Sequence, residues 1–267
     1  YRRGDTLEFH AQVTDVRDGA LLREVPPILA SVTNPVGGVQ QLGERIMGAL
    51  ATVENPRLSE WANHGGTPPS YGAYREFVDG LEAQVRMDQA TALVHYSRAR
   101  ALDSTFLQPL LFGADAAYNL GRATQAQAAL DTVANHRDDL IPADRDLLDY
   151  QLAVFHGDPE RGYQVARDMA RLSPTSGPFV IAGQASLYVG RPREALQWFE
   201  RVDTNKGWVK GWAEYWIQAV TAAHMAGDDQ ERLRLARAAR RAFPDQVISY
   251  ACMAIPLVGM VETAAAE

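Results

Sequence analysis

Five stretches of the chain begin alike: MDQATALVHYSRARALD, GRATQAQAALDTVANH, GDPERGYQVARDMARLSP, GRPREALQWFERVDT and GDDQERLRLARAARRAFP. Each opens with a turn, usually Gly followed by Asp or Arg, and continues as a helix. A small residue usually sits five positions past the turn, a bulky one four further on, and a small or apolar one three beyond that. The equivalent positions are Ala92, Ala126, Gly162, Ala195 and Arg232, at intervals of 34, 36, 33 and 37 residues. A second helical segment precedes each turn, for instance LLFGADAAYNL or EYWIQAVTAAHMA. One helix pair cannot bury its apolar face alone, so a pair repeated at this period stacks on its neighbours. The expected fold is mainly α: a right-handed α-solenoid of helix–turn–helix repeats, with a small partial α/β segment before it.

The first residues follow another rhythm. TLEFHAQVTD, residues 6–15, alternates with Leu7, Phe9, Ala11 and Val13 on one side, as a half-buried strand does. RDG at 17–19 supplies a tight turn, and ALLREVPPILA reads as a returning strand until Pro26 and Pro27 interrupt it. Asn34-Pro35 opens a helix whose apolar residues Val36, Val39, Leu42, Ile46, Met47 and Leu50 recur at helical spacing. A lone hairpin with one helix is too small to be stable in water, so residues 1–54 are expected to be part of a larger unit. Residues 55–70, with NHGGTPPS, read as a linker. Residues 71–267 are expected to hold about five helix pairs and a closing helix.

These repeats resemble the tetratricopeptide (TPR) family. The second helices carry the family pattern in Ala92-Tyr96-Ala99 and Ala195-Phe199-Val202, with terminal Pro174 and Pro244. The first helices carry Gly80-Ala83, Ala114-Ala117, Gly183-Ser186 and Trp216. Arg232 departs from the small residue expected there, and Glu76 and Asp79 are polar where the first repeat should be apolar. GDTLEFHAQVTDVRDGALLREV, followed by a helix and then the repeats, is similar to the TolB-like region of bacterial serine/threonine kinases and adenylate cyclases. That resemblance implies a fragment beginning inside a TolB-like unit, with the repeats as the sensory or docking region of a signalling protein. It also implies an extracytoplasmic position if the parent chain is tethered by a membrane helix, and a cytoplasmic one otherwise.

Composition narrows the partners. A net charge of −7 argues against nucleic acid, which needs a basic surface. One cysteine, Cys252, leaves no internal disulfide and no Cys-rich zinc site. The apolar run ACMAIPLVGMV, 251–261, is too short to span a bilayer, so no direct membrane insertion is expected. Packed over the last repeat it would close the array.

No catalytic motif stands up. ADRDLLDYQ, 143–151, has the look of a kinase catalytic loop, but Ala-Asp replaces the His before Arg, and Gln151 stands where Asn is needed. Its aspartates Asp144, Asp146 and Asp149 suit a helix N-terminus and lack the rest of a calcium loop. The six histidines (His10, His64, His95, His136, His156 and His224) show no ligand spacing. Gly37-Gly38 has no phosphate-binding Lys-Ser/Thr after it. Asp138-Asp139 and Asp228-Asp229 fall in turns. The basic face of 231–243, with Arg234, Arg237 and Arg241, is most simply solvated. No enzyme activity, cofactor or metal is expected.

Four of five tryptophans lie in WFERVDTNKGWVKGWAEYW, residues 198–216. Trp198 and Trp216 occupy packing positions, so the cluster is expected to join two repeats. Trp208 and Trp212 are the two with faces to spare for an alternative small-molecule pocket. In the TPR family the first helices line a groove that selects a protein or peptide. Carried onto this chain, the groove takes in Tyr74, Phe77, Asp115, Tyr118, Asn119, Gln151, Gln184, Tyr188, Thr221 and His224. The basic clamp of chaperone-binding members is missing from these positions, so neutral or mildly basic extended segments fit better. The hairpin's open strand edges offer a route to self-association.

Overall fold

The computed structural model describes residues 1–58, 66–247 and 250–253. His64, the middle of the 55–70 stretch and the apolar end from 254 onward lie outside them. The chain forms two compact units, residues 1–84 with 88–148, and residues 85–87 with the chain from 149 on.

The first unit opens with an antiparallel sheet of order β1 (Arg2–Arg3), β2 (Thr6–Thr14) and β3 (Leu21–Ser31). The hairpin turn is held by the Asp15 carboxylate, which accepts from the Arg17 backbone N–H at 2.8 Å, and by Gly19 at φ 73°. The prolines do not interrupt β3, contrary to the sequence expectation. Pairing runs from Phe9 with Ile28 to Ala11 with Val25, so Pro26 and Pro27 together oppose the single residue His10. The bulge absorbs two residues without an N–H on a strand whose other side has no neighbour among the described residues.

Helix α1 (Pro35–Glu54) starts at Asn34, whose side chain accepts from the Gly37 N–H, with Pro35 in the first turn. It packs on β2 and β3 through small residues. A Cβ on Gly38 would stand 2.5 Å from the Ala30 Cβ and 2.8 Å from the Phe9 ring, and one on Gly48 2.0 Å from the Pro69 carbonyl. The buried residues of α1 are Gly38, Gly48, Ala49 and Thr52, whereas Val36, Val39, Met47 and Leu50 are exposed.

One carboxylate then fastens α1 to the first repeat. Asp103 ends the helix Gln89–Leu102 and is buried. It accepts from Arg45 of α1, from the Ser70 N–H at 2.9 Å, and from the Thr105 N–H and hydroxyl at 3.1 and 2.7 Å. Arg45 also donates to the Pro68 carbonyl at 2.7 Å. Burial alone would raise the Asp103 carboxyl. The hydrogen bonds from Thr105, Ser70 and Arg45, with the Arg45 charge, outweigh it and hold the group below its ordinary range.

The rest of the first unit is α2 (Tyr71–Val85), α3 (Gln89–Leu102), α4 (Gln108–Asn119), α5 (Ala123–Ala134) and the start of α6 (Pro142–Phe155). The second unit holds the end of α6, α7 (Pro159–Leu172), α8 (Ser176–Tyr188), α9 (Pro192–Phe199), α10 (Glu214–Ala226) and α11 (Asp229–Ala242). Successive helices pack on one another, α3 on α4 and α4 on α5 in the first unit, and α7 through α11 in the second. The repeat glycines are where second-helix aromatics press in. A Cβ on Gly80 would stand 2.5 Å from the Tyr96 ring, and one on Gly183 2.4 Å from Phe199.

The turns obey one rule. Asp88, Asp158 and Asp228 cap their helices, accepting from the N–H of Thr91, Arg161 and Glu231, while Arg122 and Arg191 hold the equivalent place without such a bond. The residue before each cap is left-handed: Gly121, Gly157, Gly190 and Gly227 at φ 70–75°, and Met87 at φ 65°. Met87 is the one non-glycine residue with positive φ among the described residues.

Two outcomes follow from these contacts. Met87→Gly removes left-handed strain at a half-exposed side chain and should raise stability by about 1 kcal/mol in urea unfolding. Asp103→Asn should lower it by about 3 kcal/mol at neutral pH, the scale of breaking a buried pair. Because the folded carboxyl lies below an unfolded value of about 3.9, its contribution is complete above that value. It disappears as the pH falls through the folded one. The gap between the Asn variant and the parent should therefore be constant from neutral to mildly acidic pH and close on stronger acidification.

Candidate partner-binding surfaces

The caps at 88, 122, 158, 191 and 228 fix a register for the first helices. Seven residues before them stand Leu81, Asp115, Gln151, Gln184 and Thr221, and four before them Gln84, Tyr118, Val154, Leu187 and His224. The expected groove residues beyond the first repeat fall on or beside these two rows.

In the first unit α4 presents Asp115, Tyr118 and Asn119. The Asp115 carboxylate accepts from the Gln84 amide at 2.8 Å and from Asn119 at 3.3 Å, and the Gln84 carbonyl accepts from the Tyr96 hydroxyl at 2.6 Å. Burial, and then the Asp115 charge, push the Tyr96 hydroxyl well above its ordinary pKa, so it stays a donor. The chain Tyr96–Gln84–Asp115–Asn119 thus orients an amide and a carboxylate from behind, while Tyr118 is 46% exposed beside it. Gln84 and Tyr96 were not among the expected site residues. Gln84 was readable from the cap register, because it is the first-repeat counterpart of Tyr118.

Two expected groove residues of this unit are not surface groups. Phe77 is buried, edge-on to Phe106 and Phe112 at 5.0 and 5.5 Å. Tyr74 is buried, and its hydroxyl accepts from the Asn55 amide at 2.8 Å. Both lie in the first two turns of α2, beside Leu58, Pro69 and Phe106. Tyr74, Phe77, Arg23, Thr52, Phe106 and Gln108 border a small cavity of about 40 Å³, a volume on the scale of a few waters.

In the second unit Gln151 is also buried and is withdrawn from the surface. Gln184 is half-buried. Its carbonyl lies 3.5 Å from the Tyr150 hydroxyl, and its amide donates to the Tyr188 hydroxyl at 2.9 Å. Tyr188 is 52% exposed. On α10, Thr221 is half-buried and His224 exposed, with the His224 Nδ1 2.8 Å from the Arg232 guanidinium. Arginine only donates, so Nδ1 accepts and the imidazole carries its proton on Nε2. Arg232 also meets Asp229 at 2.7 Å, which accounts for a buried arginine where the repeat wants a small residue.

The tryptophans pack. Trp208 lies over Gly177, where a Cβ would approach its Nε1 to 2.3 Å, and its ring is 5.4 Å from that of Trp212. Both, with Trp216, rest on the core formed by Val180, Phe199, Val209 and Tyr215. Trp198 stacks on Phe179, with the Arg201 guanidinium 4.1 Å from the Phe179 ring.

Asp144, in the kinase-like stretch, is buried at the start of α6 and accepts from Gln108 at 2.7 Å. The Cys252 thiol is buried and pushed up to about 11 by that burial, so it is protonated at neutral pH. Among the described residues no group of three or more His, Cys, Asp or Glu is placed to hold a metal ion. No helix among them is long and apolar enough to cross a membrane.

No protein-family model matches the sequence, nor does any curated protein. Solved structures do match. A thermophilic TPR protein of Thermus thermophilus is 16% identical, with a TM-score of 0.51 over 70% of this chain and 99% of that one. A tetratricopeptide repeat protein of Parabacteroides merdae is 10% identical, with a TM-score of 0.52 over 84% of this chain and 82% of that one. At such identities the likeness is one of fold. The chain has the mainly α, helix-pair repeat fold of tetratricopeptide-repeat proteins, with a small antiparallel sheet at its N-terminus.

Proposed function

We propose that the chain is a non-catalytic binding module whose exposed first-helix faces take extended segments of partner proteins. The residues are Asp115, Tyr118 and Asn119 in one unit, and Gln184, Tyr188, Thr221 and His224 in the other. The observation that carries this reading is the pair of side-chain relays, Tyr96–Gln84–Asp115–Asn119 and Tyr150–Gln184–Tyr188. Each fixes amide groups at a partly exposed surface next to a tyrosine. Oriented amides match the donors and acceptors of an extended main chain, and a tyrosine adds contact area with few torsions to freeze. Residues 1–54 are read as a partial TolB-like segment, and the repeats as the docking or sensory region of a bacterial signalling protein. The strand–turn–strand–helix order of β2, β3 and α1 is compatible with that context.

Selection from a displayed library of short peptides tests the reading. Peptides selected on the intact chain should lose about tenfold in affinity, roughly 1.4 kcal/mol, on Gln184→Ala/Tyr188→Ala or on Asp115→Ala/Tyr118→Ala, with helical circular dichroism unchanged. Peptides that bind both variants as well as the parent would move the site off these faces. No selected peptide, together with a metabolite that changes tryptophan emission, would transfer the function to the Trp208–Trp212 pair.

A further inference from the structure

Helix α1 carries an apolar stripe that its own unit leaves open. Val36, Val39, Met47 and Leu50 are 63%, 53%, 48% and 39% exposed. Gly43 lies among them, with nothing within 4 Å of where a Cβ would stand. The spacing is symmetric: Val39 and Met47 lie four residues on either side of Gly43, and Val36 and Leu50 seven. From Val36 to Leu50 the stripe runs about 21 Å at 1.5 Å per residue.

No charge interrupts it. The ionisable residues of α1 are Glu44, Arg45 and Glu54. Glu44 accepts from the Gly72 N–H, Arg45 is paired with Asp103, and Glu54 lies past the end of the stripe. A helix face that meets only water normally carries charged residues. The glycines point the same way. Gly38 and Gly48 are explained by the sheet and by Pro69, but Gly43 has no close neighbour, and a glycine in mid-helix weakens the helix.

We propose that this stripe is the contact between two copies of the chain, α1 of each crossing antiparallel over the other at Gly43. A two-fold axis through Gly43 sets Val39 against Met47 of the second copy and Val36 against its Leu50, so each small side chain meets a larger one. With no side chain on the axis, the helices approach to the short end of the usual 8–10 Å separation. The strand edges are poorer surfaces for the same purpose. β1 has two residues, and the outer edge of β3 is broken by Pro26 and Pro27, which lack an N–H. A single helix crossing falls at the low end of interfaces that bury about 800 Å² per partner. The pair therefore exchanges with monomer on dilution.

Sedimentation equilibrium of the intact chain over a wide concentration range is the test. The mass should rise from 29.3 kDa towards twice that value, whereas Val39→Glu/Met47→Glu stays at the monomer mass with unchanged helical circular dichroism. Geometry is read by disulfide trapping, since Cys252 is buried and an added surface cysteine is the accessible one. A mixture of Val39→Cys and Met47→Cys chains should cross-link to each other, and neither should cross-link to itself. A parent that stays at 29.3 kDa throughout would overturn the proposal and leave the stripe to a different protein. A Glu variant that associates like the parent, or Val39→Cys chains that preferentially join each other, would overturn it as well.

Discussion

An aromatic ring cannot lie between two helices of a pair unless one of them gives up a side chain. That constraint governs the contacts of Tyr96 with Gly80 and of Phe199 with Gly183, where even a methyl group would stand inside the ring's van der Waals surface. The close approach lets a short pair exclude water from its seam, and each pair then has one flank for each neighbour. The α6–α7 pair meets the constraint the other way round. Its glycine, Gly162, is on the second helix and receives Val154 and Tyr150 from the first. Small and bulky residues have exchanged helices there, and the contact is looser, with Val154 3.2 Å from where a Cβ on Gly162 would stand.

What could be read from the sequence divides by range. Turn, cap and small-large spacing are local. The helix-pair repeat was legible because each pair is decided within about 35 residues of chain. Burial of a given first-helix residue is not local. Gln151 is buried where its counterparts Asp115, Gln184 and Thr221 are half-buried, and nothing in its own stretch of sequence marks that difference. The same holds at α1: of the six apolar residues that recur at helical spacing, Val36, Val39, Met47 and Leu50 are exposed, while Gly38 meets the sheet and Gly48 meets Pro69. Arg45 and Asp103 are 58 residues apart, and neither carries a sequence signal for the other.

The surface rows owe their character to what lies behind them. A glutamine on an open helix face samples many rotamers, and fixing it on a ligand costs entropy. Gln84 and Gln184 are instead tied from within, one by Tyr96 and the other by Tyr150 and Tyr188. Part of that ordering cost has been met in folding, so the same polar groups recognise a partner with less penalty than their length implies.

The alternation of caps has a consequence for how the array comes apart. Helices α3, α7 and α11 carry their own aspartate caps and can start without help. Helix α9 does not. Its cap residue Arg191 instead donates to the Tyr163 hydroxyl at 2.9 Å and lies 4.4 Å from that ring, while Tyr163 donates to Glu194 at 2.9 Å. The first turn of α9 is therefore held by α7, one repeat earlier. In a stacked array the smallest piece that can melt is set by such dependencies. Melting of α7 removes the contacts that hold the first turn of α9, which couples the two helices across α8.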